Sequence, residues 1–247
     1  MRILICGQGE REKQLRALCP AHGHLLPEHG PWDAVILPLP RSSLPEELAD
    51  ELPRGQKIVC GLTDEAFDKL ALKRGWKLLR VLKDEQYTQE NAALTAEGAI
   101  FAAAARMNRA IRSASCLVIG YGRIGKALTR LLRGLDAKVT VAARREESRR
   151  EAGENSVSME GIKDILPFMD VIFNTVPAPI LAKPALNAVN KNCVLIELAS
   201  PPYGIDLDAA EEMGRMAFLE SGLPGRYCPK SAAEALLSYL EREVQHE

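Results

Sequence analysis

The segment that most constrains the fold spans residues 115–145, where three glycines separate two apolar runs. The first run, residues 116–119, is apolar and β-branched, which predicts a buried strand. Residues 126–135 place apolar side chains at helical spacing, and a second strand is predicted from residue 138 onward. The glycines between strand and helix follow the G-x-G-x-x-G spacing: Gly120, Gly122 and Gly125. This is the fingerprint of a dinucleotide-binding βαβ unit in its required context.

Each of these glycines has a physical role in such a unit. Gly120 permits the tight turn out of the strand, Gly122 lets a pyrophosphate approach the backbone, and Gly125 lets the helix pack closely. The helix N-terminus then offers unpaired N–H groups to the phosphates. The cofactor loop also includes the residues between the glycines: Tyr121, Arg123 and Ile124. The alternative is an α/β turn of the same shape that binds no nucleotide.

The end of the second strand predicts which cofactor binds. An NAD site usually has Asp or Glu there to accept hydrogen bonds from the ribose. Here Ala143 occupies the position and is followed by Arg144 and Arg145. Because a guanidinium can make a bidentate contact with a 2′-phosphate, we expect NADP rather than NAD. The alternative is that Arg144 stacks on the adenine and Arg145 is solvated, which would leave a site that accepts both cofactors.

The composition limits the classes of partner. The chain has 247 residues, of which 47% are apolar, which suits two domains with cores of ordinary size. Its 32 basic and 33 acidic residues give a formal net charge of −1, so nothing favours a nucleic acid or an anionic membrane surface. No apolar run is as long as a membrane span, and the apolar part of the N-terminus is too short for a signal peptide.

The cysteines and histidines predict no metal site. The six cysteines form no C-x-x-C pair, and most lie in predicted strands, where a free thiol packs as a small apolar group. This use of cysteine fits a reducing, cytoplasmic compartment. His22 and His24 stand in a predicted turn without a carboxylate cluster, and we interpret them as solvated rather than metal-bound.

Strands alternate with helices through residues 1–90, which predicts a small flavodoxin-like domain with a parallel sheet. Thr63 is expected to cap a helix that ends at Arg74. Arg11 follows the first strand at a loop–helix junction, where it and the backbone N–H groups can face an anion. The strands of this domain are predicted at residues 2–6, 33–37, 56–60 and 76–81.

An alanine-rich helical pattern runs from residue 86 to about residue 111. We interpret it, chiefly over residues 91–112, as a long helix that joins two domains. Glu97 lies in its middle beside Gly98. This carboxylate is either a functional group in a cleft or an ion-paired structural one, and it is kept as a candidate catalytic residue.

Residues 113–228 repeat the strand–helix alternation and predict a Rossmann domain. In an open parallel sheet, ligands bind outside the carboxyl ends of the strands. The predicted fold class is therefore α/β, with two parallel-sheet domains, the second a doubly wound Rossmann sheet, joined by long interdomain helices. The loops at the strand ends supply further candidate cofactor contacts: Thr175, Val176, Pro177, Ala199 and Ser200.

Several segments together resemble the A-subunit of dipicolinate synthase, a family of endospore-forming bacteria. The likeness covers the chain from residue 91 onward and, more loosely, the first domain. Its most specific pieces are Asn-Thr-Val-Pro at residues 174–177 and Gly-Leu-Pro-Gly at residues 222–225. The matching segments are residues 33–40, 91–100, 118–125, 173–178, 197–206 and 222–232.

The resemblance implies a two-domain fold like that of the 2-hydroxyacid dehydrogenases, with a terminal helix at residues 229–247 packed back on the first domain. It implies an enzyme that oxidises dihydrodipicolinate, or its hydrated precursor, to dipicolinate with NAD(P) during sporulation. It also implies a small dicarboxylate substrate, the flavoprotein-like B-subunit of dipicolinate synthase as partner, and a homo-oligomeric assembly.

Substrate and catalytic roles are assigned within this resemblance. Lys230 is equally well explained as a surface charge at the start of a helix. The residues expected to bind the substrate carboxylates are Arg11, Ser200 and Lys230, and the candidate catalytic residues are Ser200, Tyr203, Lys230 and Glu97.

The chain departs from the wider 2-hydroxyacid dehydrogenases at their catalytic positions. Those enzymes have an Arg after the fifth strand and a Pro-His before the last helix, where this chain has Ala-Ser at residues 199–200 and Leu-Pro-Gly at residues 223–225. A 2-hydroxy acid needs a base for its hydroxyl proton, whereas aromatisation of a dihydropyridine is downhill and needs less help. Residues 201–204 read Pro-Pro-Tyr-Gly where the resembled family favours Pro-Gly-Gly, so Tyr203 adds a bulky polar side chain beside the predicted nicotinamide site.

Two other functions stay open on the sequence. One is an NADP-dependent oxidoreductase that acts on another 2-hydroxy acid or on an imino acid. The other is a non-catalytic NADP-binding subunit that serves as a scaffold for its partner. Turnover of a small keto acid would favour the first, and tight cofactor binding without turnover would favour the second.

Overall fold

The computed structural model describes residues 1–245, and the chain divides into two compact units. Unit 1 is Met1–Leu94 together with the described part of Pro224–Glu247, and unit 2 is Thr95–Leu223. Each unit contains its own parallel sheet, which confirms the predicted α/β class with two parallel-sheet domains. None of the described helices is long and apolar enough to cross a lipid bilayer.

The sheet of unit 1 has the flavodoxin-like strand order. Its strands are β1 (Ile3–Ile5), β2 (Ala34–Ile36), β3 (Lys57–Cys60) and β4 (Lys77–Arg80). They lie parallel in the order β1-β2-β3-β4, and a parallel bridge between Arg2 and Leu25 adds one more segment outside β1. When that segment is counted in chain order, the arrangement is 2-1-3-4-5, the order of flavodoxin.

The helices flank the two sheets, and the boundary between the units at Leu94 falls inside the fourth helix. The α-helices are α1 (Glu10–Ala21), α2 (Glu46–Glu51), α3 (Glu65–Arg74), α4 (Glu85–Ala104), α5 (Arg123–Gly134), α6 (Glu146–Ala152), α7 (Ile162–Ile165), α8 (Lys183–Ala188), α9 (Leu207–Glu212), α10 (Leu223–Tyr227) and α11 (Pro229–Gln245). Short 3₁₀ helices follow β4 and α7, at Val81–Lys83 and Leu166–Phe168.

The terminal helix α11 packs on α1 and contributes to the core of unit 1. Apolar residues recur along α11 at helical spacing, and Leu236 and Leu240 are both fully buried or nearly so. They share a cluster with Ile3 of β1 and Leu15 of α1. Burial of each such side chain contributes about 1.5–3 kcal/mol, so α11 is an integral part of unit 1.

The cap of α3 differs from the predicted one. Asp64, not Thr63, is the N-cap, and its carboxylate accepts a hydrogen bond from the backbone N–H of Phe67 at 2.7 Å. The Thr63 hydroxyl instead donates to the Asp68 carboxylate at 2.7 Å and accepts from Arg80. Asp and Thr are both good capping residues. Because the Thr63 hydroxyl binds Asp68 and Arg80, Asp64 caps the helix instead.

The long helix ends earlier than predicted. The pattern predicted helix to residue 111, but α4 ends at Ala104. Just beyond it, Arg106 lies 2.6 Å from the nearly buried carboxylate of Glu220 and stacks over the ring of Phe218 at 4.3 Å. These contacts to the last strand of unit 2 and its following loop draw the chain out of the helical path, a case in which tertiary packing overrides local propensity.

The histidine turn after α1 is solvated at His22, as predicted, but not at His24. His24 is only 5% exposed, and its Nε2 lies 2.9 Å from the carboxylate of Glu241 on α11. His22 also contacts Glu241, at 3.2 Å. The two histidines therefore tie the end of α1 to α11. Among residues 1–245 there is no group of three or more His, Cys, Asp or Glu side chains that could hold a metal ion.

Unit 2 contains a six-stranded parallel sheet in the Rossmann order. Its strands are β5 (Ser115–Ile119), β6 (Lys138–Ala142), β7 (Ser156–Val157), β8 (Val171–Asn174), β9 (Val194–Glu197) and β10 (Met216–Leu219). The spatial order β10-β9-β8-β5-β6-β7 is the 3-2-1-4-5-6 arrangement of dinucleotide-binding sheets. Apolar clusters cover both faces of this sheet, as expected for parallel strands.

The register of these strands aligns their carboxyl ends. Ile119 at the end of β5 pairs with Ala142 of β6 on one side and with Asn174 of β8 on the other. Asn174 in turn pairs with Glu197 at the end of β9. The four loops that follow these strands therefore leave the sheet at one edge.

Two cysteines predicted inside strands, Cys6 and Cys193, lie just outside β1 and β9.

Candidate dinucleotide-binding site

The turn after β5 is closed by the loop after β8. Gly120 has φ +98°, in the left-handed region that favours glycine. A Cβ at this position would overlap the Thr175 hydroxyl and lie 2.7 Å from a methyl of Val176. Thr175 is fixed there because both its backbone N–H and its hydroxyl donate to the carbonyl of Ile119, each at 2.9 Å. Only glycine fits at residue 120.

The other two glycines differ sharply in their surroundings. A Cβ at Gly125 would overlap the carbonyl oxygen of Gly120, so α5 rests directly on the turn. At Gly122 a Cβ would meet no protein atom within 4 Å. Gly122 is the N-cap of α5 and makes no side-chain cap, so its helix N-terminus offers backbone N–H groups. An open face at this position is what a bound pyrophosphate requires, so the residues present fit a dinucleotide.

The residues between the glycines line the mouth of this turn. Tyr121 is half-buried, and the Lys126 ammonium lies 5.5 Å from the centre of its ring. Arg123 is exposed in the first turn of α5, and Ile124 is half-buried. Lys126 also pairs with Glu151 at 2.6 Å. The predicted cofactor loop is thus assembled as one structure around Gly122.

The end of β6 carries no carboxylate. Ala143 is 4% exposed, and Arg144 and Arg145 after it are both exposed. One Nη of Arg149 donates to the carbonyl oxygens of Ala143 and Arg144, at 2.8 Å each. This contact fixes the turn that presents Arg144, with two guanidinium groups at the position where an NAD site would have an acid.

The ends of β8 and β9 carry a buried Asn–Glu pair that was not among the predicted site residues. Asn174 and Glu197 are both 0% exposed, and the Asn174 amide donates to the Glu197 carboxylate at 2.7 Å. Glu197 also accepts backbone hydrogen bonds from Ala199, Gly204 and Ile205, at 2.8–2.9 Å. The sequence does contain a signal for this pair, because each residue is the polar end of an otherwise apolar strand.

The Asn–Glu pair determines the shape of the loop after β9. Because both oxygens of Glu197 bind backbone N–H groups of residues 199–205, the loop is held against the sheet edge. Gly204 packs so closely that a Cβ there would lie 2.8 Å from the Val176 carbonyl oxygen. Tyr203 has φ +61° and lines a groove of about 360 Å³ together with Pro179 and Asp206.

The loops at the strand ends of unit 2 carry most of its predicted site residues. Thr175, Val176 and Pro177 follow β8 beside the glycine turn, and Ser200 and Tyr203 follow β9. Ser200 is exposed and Ala199 is half-buried.

The remaining predicted site residues have different surroundings. Glu97 is an exposed residue of α4 in unit 2. Lys230 belongs to unit 1, where its side chain is 69% exposed and lies 3.9 Å from Glu234 of the same helix. Arg11 belongs to unit 1 as well and is buried.

The buried thiols are not reactive nucleophiles. Burial raises the pKa of the Cys116 thiol to about 12 and that of Cys193 to about 12. Since the thiolate is the reactive form, neither cysteine contributes to chemistry at neutral pH.

Comparisons with known proteins agree with this geometry. Residues 78–200 match the family described as D-isomer specific 2-hydroxyacid dehydrogenase, NAD binding domain. Crystal structures of the dipicolinate synthase A-subunit superpose with TM-scores of 0.88 (Bacillus halodurans, 24% identity, 98% of this chain and 97% of that chain) and 0.83 (Bacillus subtilis, 24% identity, 100% and 97%). D-lactate dehydrogenase from Escherichia coli shares the fold at 17% identity, with a TM-score of 0.63 over 98% of each chain.

A comparison of sequences also identifies a relative, in addition to the shared fold. The dipicolinate synthase A-subunit of Bacillus subtilis (strain 168) is 30% identical over 210 residues, which cover 83% of this chain and 71% of that protein. Unit 2 therefore carries a nicotinamide-dinucleotide-binding domain of the dehydrogenase type, and the chain belongs to the family of dipicolinate synthase A-subunits.

Proposed function

We propose that this chain oxidises dihydrodipicolinate, or its hydrated precursor, to dipicolinate with NADP as the hydride acceptor. The observation that carries the proposal is the open face at Gly122, in a glycine turn at the carboxyl edge of a Rossmann sheet. Family membership supplies the substrate class, because the relative of 30% identity is a subunit of dipicolinate synthase. The bound nicotinamide would accept a hydride, and a proton would leave the ring for solvent as the pyridine becomes aromatic.

The residues of unit 2 have distinct proposed roles. The backbone from Gly120 to Gly125, with Tyr121, Arg123 and Ile124, would hold the pyrophosphate. Arg144 would bind the 2′-phosphate, with Arg145 beside it. The nicotinamide ribose side would contact Thr175, Val176, Pro177 and Ala199. Ser200 would bind a substrate carboxylate, and Tyr203 would limit the space beside the reacting ring.

Unit 2 lacks a histidine, the acid–base residue of the 2-hydroxyacid dehydrogenases that this chain resembles. All four histidines lie at positions 22, 24, 29 and 246, so Thr95–Leu223 contains none. A carbonyl that becomes a hydroxyl needs a proton donor of suitable pKa, whereas oxidation of a dihydropyridine only releases a proton. This absence favours the dihydropyridine as substrate over a hydroxy acid.

Other parts of the proposal concern the cellular setting. We propose that the chain acts with a flavoprotein-like B-subunit, in a homo-oligomeric assembly in the cytoplasm of a sporulating cell.

Lys230 and Glu97 are kept as candidates for substrate contact and catalysis. The exposure of Lys230 and its neighbour Glu234 equally suit a surface ion pair.

The direct test follows absorbance of the reduced nicotinamide with freshly generated dihydrodipicolinate. NADP and NAD are compared, each with and without the candidate second subunit. We expect reduction of NADP with formation of dipicolinate. Bound NADP without reduction in either sample would contradict the proposal and favour a scaffold role.

One observation favours a second candidate function. The family model that matches residues 78–200 describes 2-hydroxyacid dehydrogenases, so an oxidoreductase acting on a hydroxy acid or imino acid is the alternative. A panel of small 2-keto acids and cyclic imines, assayed with reduced NADP, separates the two. Turnover of a keto acid without turnover of dihydrodipicolinate would establish the alternative.

A further inference from the structure

Unit 1 contains a buried cation without a matching anion. Arg11 is the second residue of α1 and is only 6% exposed. Its Nε is buried and has no hydrogen-bond partner among residues 1–245. A guanidinium stays charged in proteins, and a buried charge without a partner is strongly unfavourable.

The backbone of α10 lies beside the Arg11 side chain. Gly225 of α10, in the same unit, passes over the guanidinium, and a Cβ there would lie 3.7 Å from an Nη of Arg11. Tyr87 is 3% exposed and lies close enough for charge to matter. Burial raises the pKa of its hydroxyl, and the positive charge of Arg11 opposes that rise. The Tyr87 hydroxyl is therefore within electrostatic range of both Arg11 and the Glu12 carboxylate.

The two acidic neighbours of Arg11 in the sequence, Glu10 and Glu12, are both turned elsewhere, and Glu10 pairs with Lys13. Glu12 is 8% exposed, and its carboxylate folds back onto Gly9, where it would overlap a Cβ. It therefore occupies the start of α1 rather than the guanidinium of Arg11. The loop before α1 is fixed independently, since Arg16 donates to the carbonyls of Ile5 and Gly7 at 2.7 Å each. The Arg11 side chain, rather than the helix N-terminus, is therefore the group at this end of α1 that lacks a partner in the described part of the chain.

We propose that Arg11 is the carboxylate-binding residue of unit 1 and that it selects a planar carboxylate of the substrate through a bidentate contact. The identity of the ligand as a pyridine dicarboxylate rests on the proposed function. The expectation of an anion at Arg11 does not, because it follows from the burial of the Arg11 Nε without a hydrogen-bond partner among the described residues. Arg suits this role since its rigid fork matches the two oxygens of a carboxylate.

The test compares the full chain with two variants by calorimetric titration of dipicolinate, the stable product, and of inorganic phosphate. Arg11→Met keeps the apolar stem and removes the charge. Lys13→Gln is the matched control, because Lys13 lies on the same helix with a 58% exposed side chain paired to Glu10. We expect Arg11→Met to weaken dipicolinate binding about 10- to 100-fold, the loss of one charged hydrogen-bonded contact. Lys13→Gln should bind as the unaltered chain does.

Two further readouts separate binding from folding. NADP affinity should be the same in all variants, which reports an intact unit 2. The unfolding temperature of Arg11→Met should equal or exceed that of the unaltered chain, because a buried unpaired charge has been removed. If Arg11→Met does not fold, Arg11→Lys replaces it. That variant keeps the charge but loses the bidentate fork, and should also weaken dipicolinate binding.

The outcomes distinguish this inference from the proposed function. Equal dipicolinate affinity in the unaltered chain and Arg11→Met overturns the inference and leaves the proposed function standing. If dipicolinate does not bind but another carboxylate, such as pyruvate, binds through Arg11, the inference holds and the proposed substrate is wrong. Phosphate binding that depends on Arg11, without any carboxylate binding, overturns the carboxylate assignment.

Discussion

At the scale of single residues, the carboxylate of Glu197 determines the loop that carries Ser200 and Tyr203. Both of its oxygens accept backbone N–H groups, and the carboxylate also accepts from the Asn174 amide. Replacement by Gln would turn an –NH₂ group toward these donors. We expect Glu197→Gln to lower the free energy of unfolding by about 2–3 kcal/mol, the penalty of a buried donor left without an acceptor. Chemical denaturation measures it.

The control for this prediction is Glu212→Gln. Glu212 is a 67% exposed carboxylate that pairs with Lys183 at 3.1 Å, and such surface pairs contribute little. A Glu197→Gln variant as stable as this control would show that the loop is held by other contacts.

A second prediction at this scale concerns the choice of cofactor. Arg144 is exposed after β6, at a strand end that has no carboxylate. We expect Arg144→Gln to weaken NADP binding about 10- to 100-fold while NAD binding changes little, because only NADP has the 2′-phosphate. Fluorescence titration of both reduced cofactors gives the ratio. Arg145→Gln is the neighbouring comparison, and an unchanged ratio in the Arg144 variant would rule out this residue as the selector.

The sequence could predict some features of the candidate sites and not others. The three glycines could be predicted because their spacing, between a strand and a helix, is the fingerprint of a dinucleotide-binding turn. The Asn174–Glu197 contact could not, since it joins residues 23 positions apart and depends on the register of two strands. The burial of Arg11 was also out of reach, because α10, from the far end of the chain, covers it.

At the scale of elements, two glycines of the β5–α5 turn have different functions. A Cβ at Gly122 meets no protein atom within 4 Å, whereas one at Gly125 overlaps the Gly120 carbonyl. We expect Gly122→Ala to keep the unfolding temperature but weaken cofactor binding about tenfold or more, since the methyl would enter the pyrophosphate space. Gly125→Ala should lower both stability and binding. Unaltered cofactor affinity in Gly122→Ala would contradict the assignment of this turn.

The packing of α11 gives a prediction for unit 1. Leu236 is 1% exposed in a cluster with residues of β1 and α1. We expect Leu236→Ala to lower the free energy of unfolding by about 2–5 kcal/mol, as for other buried leucines replaced by alanine. Leu72→Ala serves as the control, because Leu72 is 83% exposed and should leave stability nearly unchanged. Equal effects of the two substitutions would mean that α11 is not part of this core.

The limits of the elements were predicted less well than their existence. Amphipathic spacing predicted α5 and α11, because an apolar stripe at the helical period has few other uses. The end of α4 was predicted too late, since Arg106 leaves the helix for contacts with Glu220 and Phe218 that lie more than a hundred residues further along the chain. Long-range contacts of this kind leave no local signal.

At the scale of the whole molecule, the alternation of strands and helices was sufficient to predict two parallel sheets. The strand orders were not predictable in detail, because the chain positions of the strands do not state which are neighbours. The flavodoxin-like order of one sheet depends on the single bridge between Arg2 and Leu25. The Rossmann order of the other aligns the ends of four strands and so forms the cofactor edge.

The same alignment explains how a dehydrogenase scaffold can serve without a catalytic histidine. The glycine turn, the β6 turn and the loops after β8 and β9 provide positioning and backbone N–H groups. A substrate that gains aromaticity on losing a hydride requires positioning more than proton transfer. Under the proposed function, turnover would depend on the placement of ring and nicotinamide more than on an acid–base pair.

The most direct test of the proposed oxidation is the fate of the hydride. Dihydrodipicolinate deuterated at every saturated ring carbon is incubated with the protein and NADP, with the second subunit present, and the reduced cofactor is analysed by mass spectrometry. Direct transfer predicts one deuterium in each reduced nicotinamide and an equal amount of dipicolinate. Reduced cofactor without deuterium, or no reduction while NADP remains bound, would contradict direct hydride transfer on this chain.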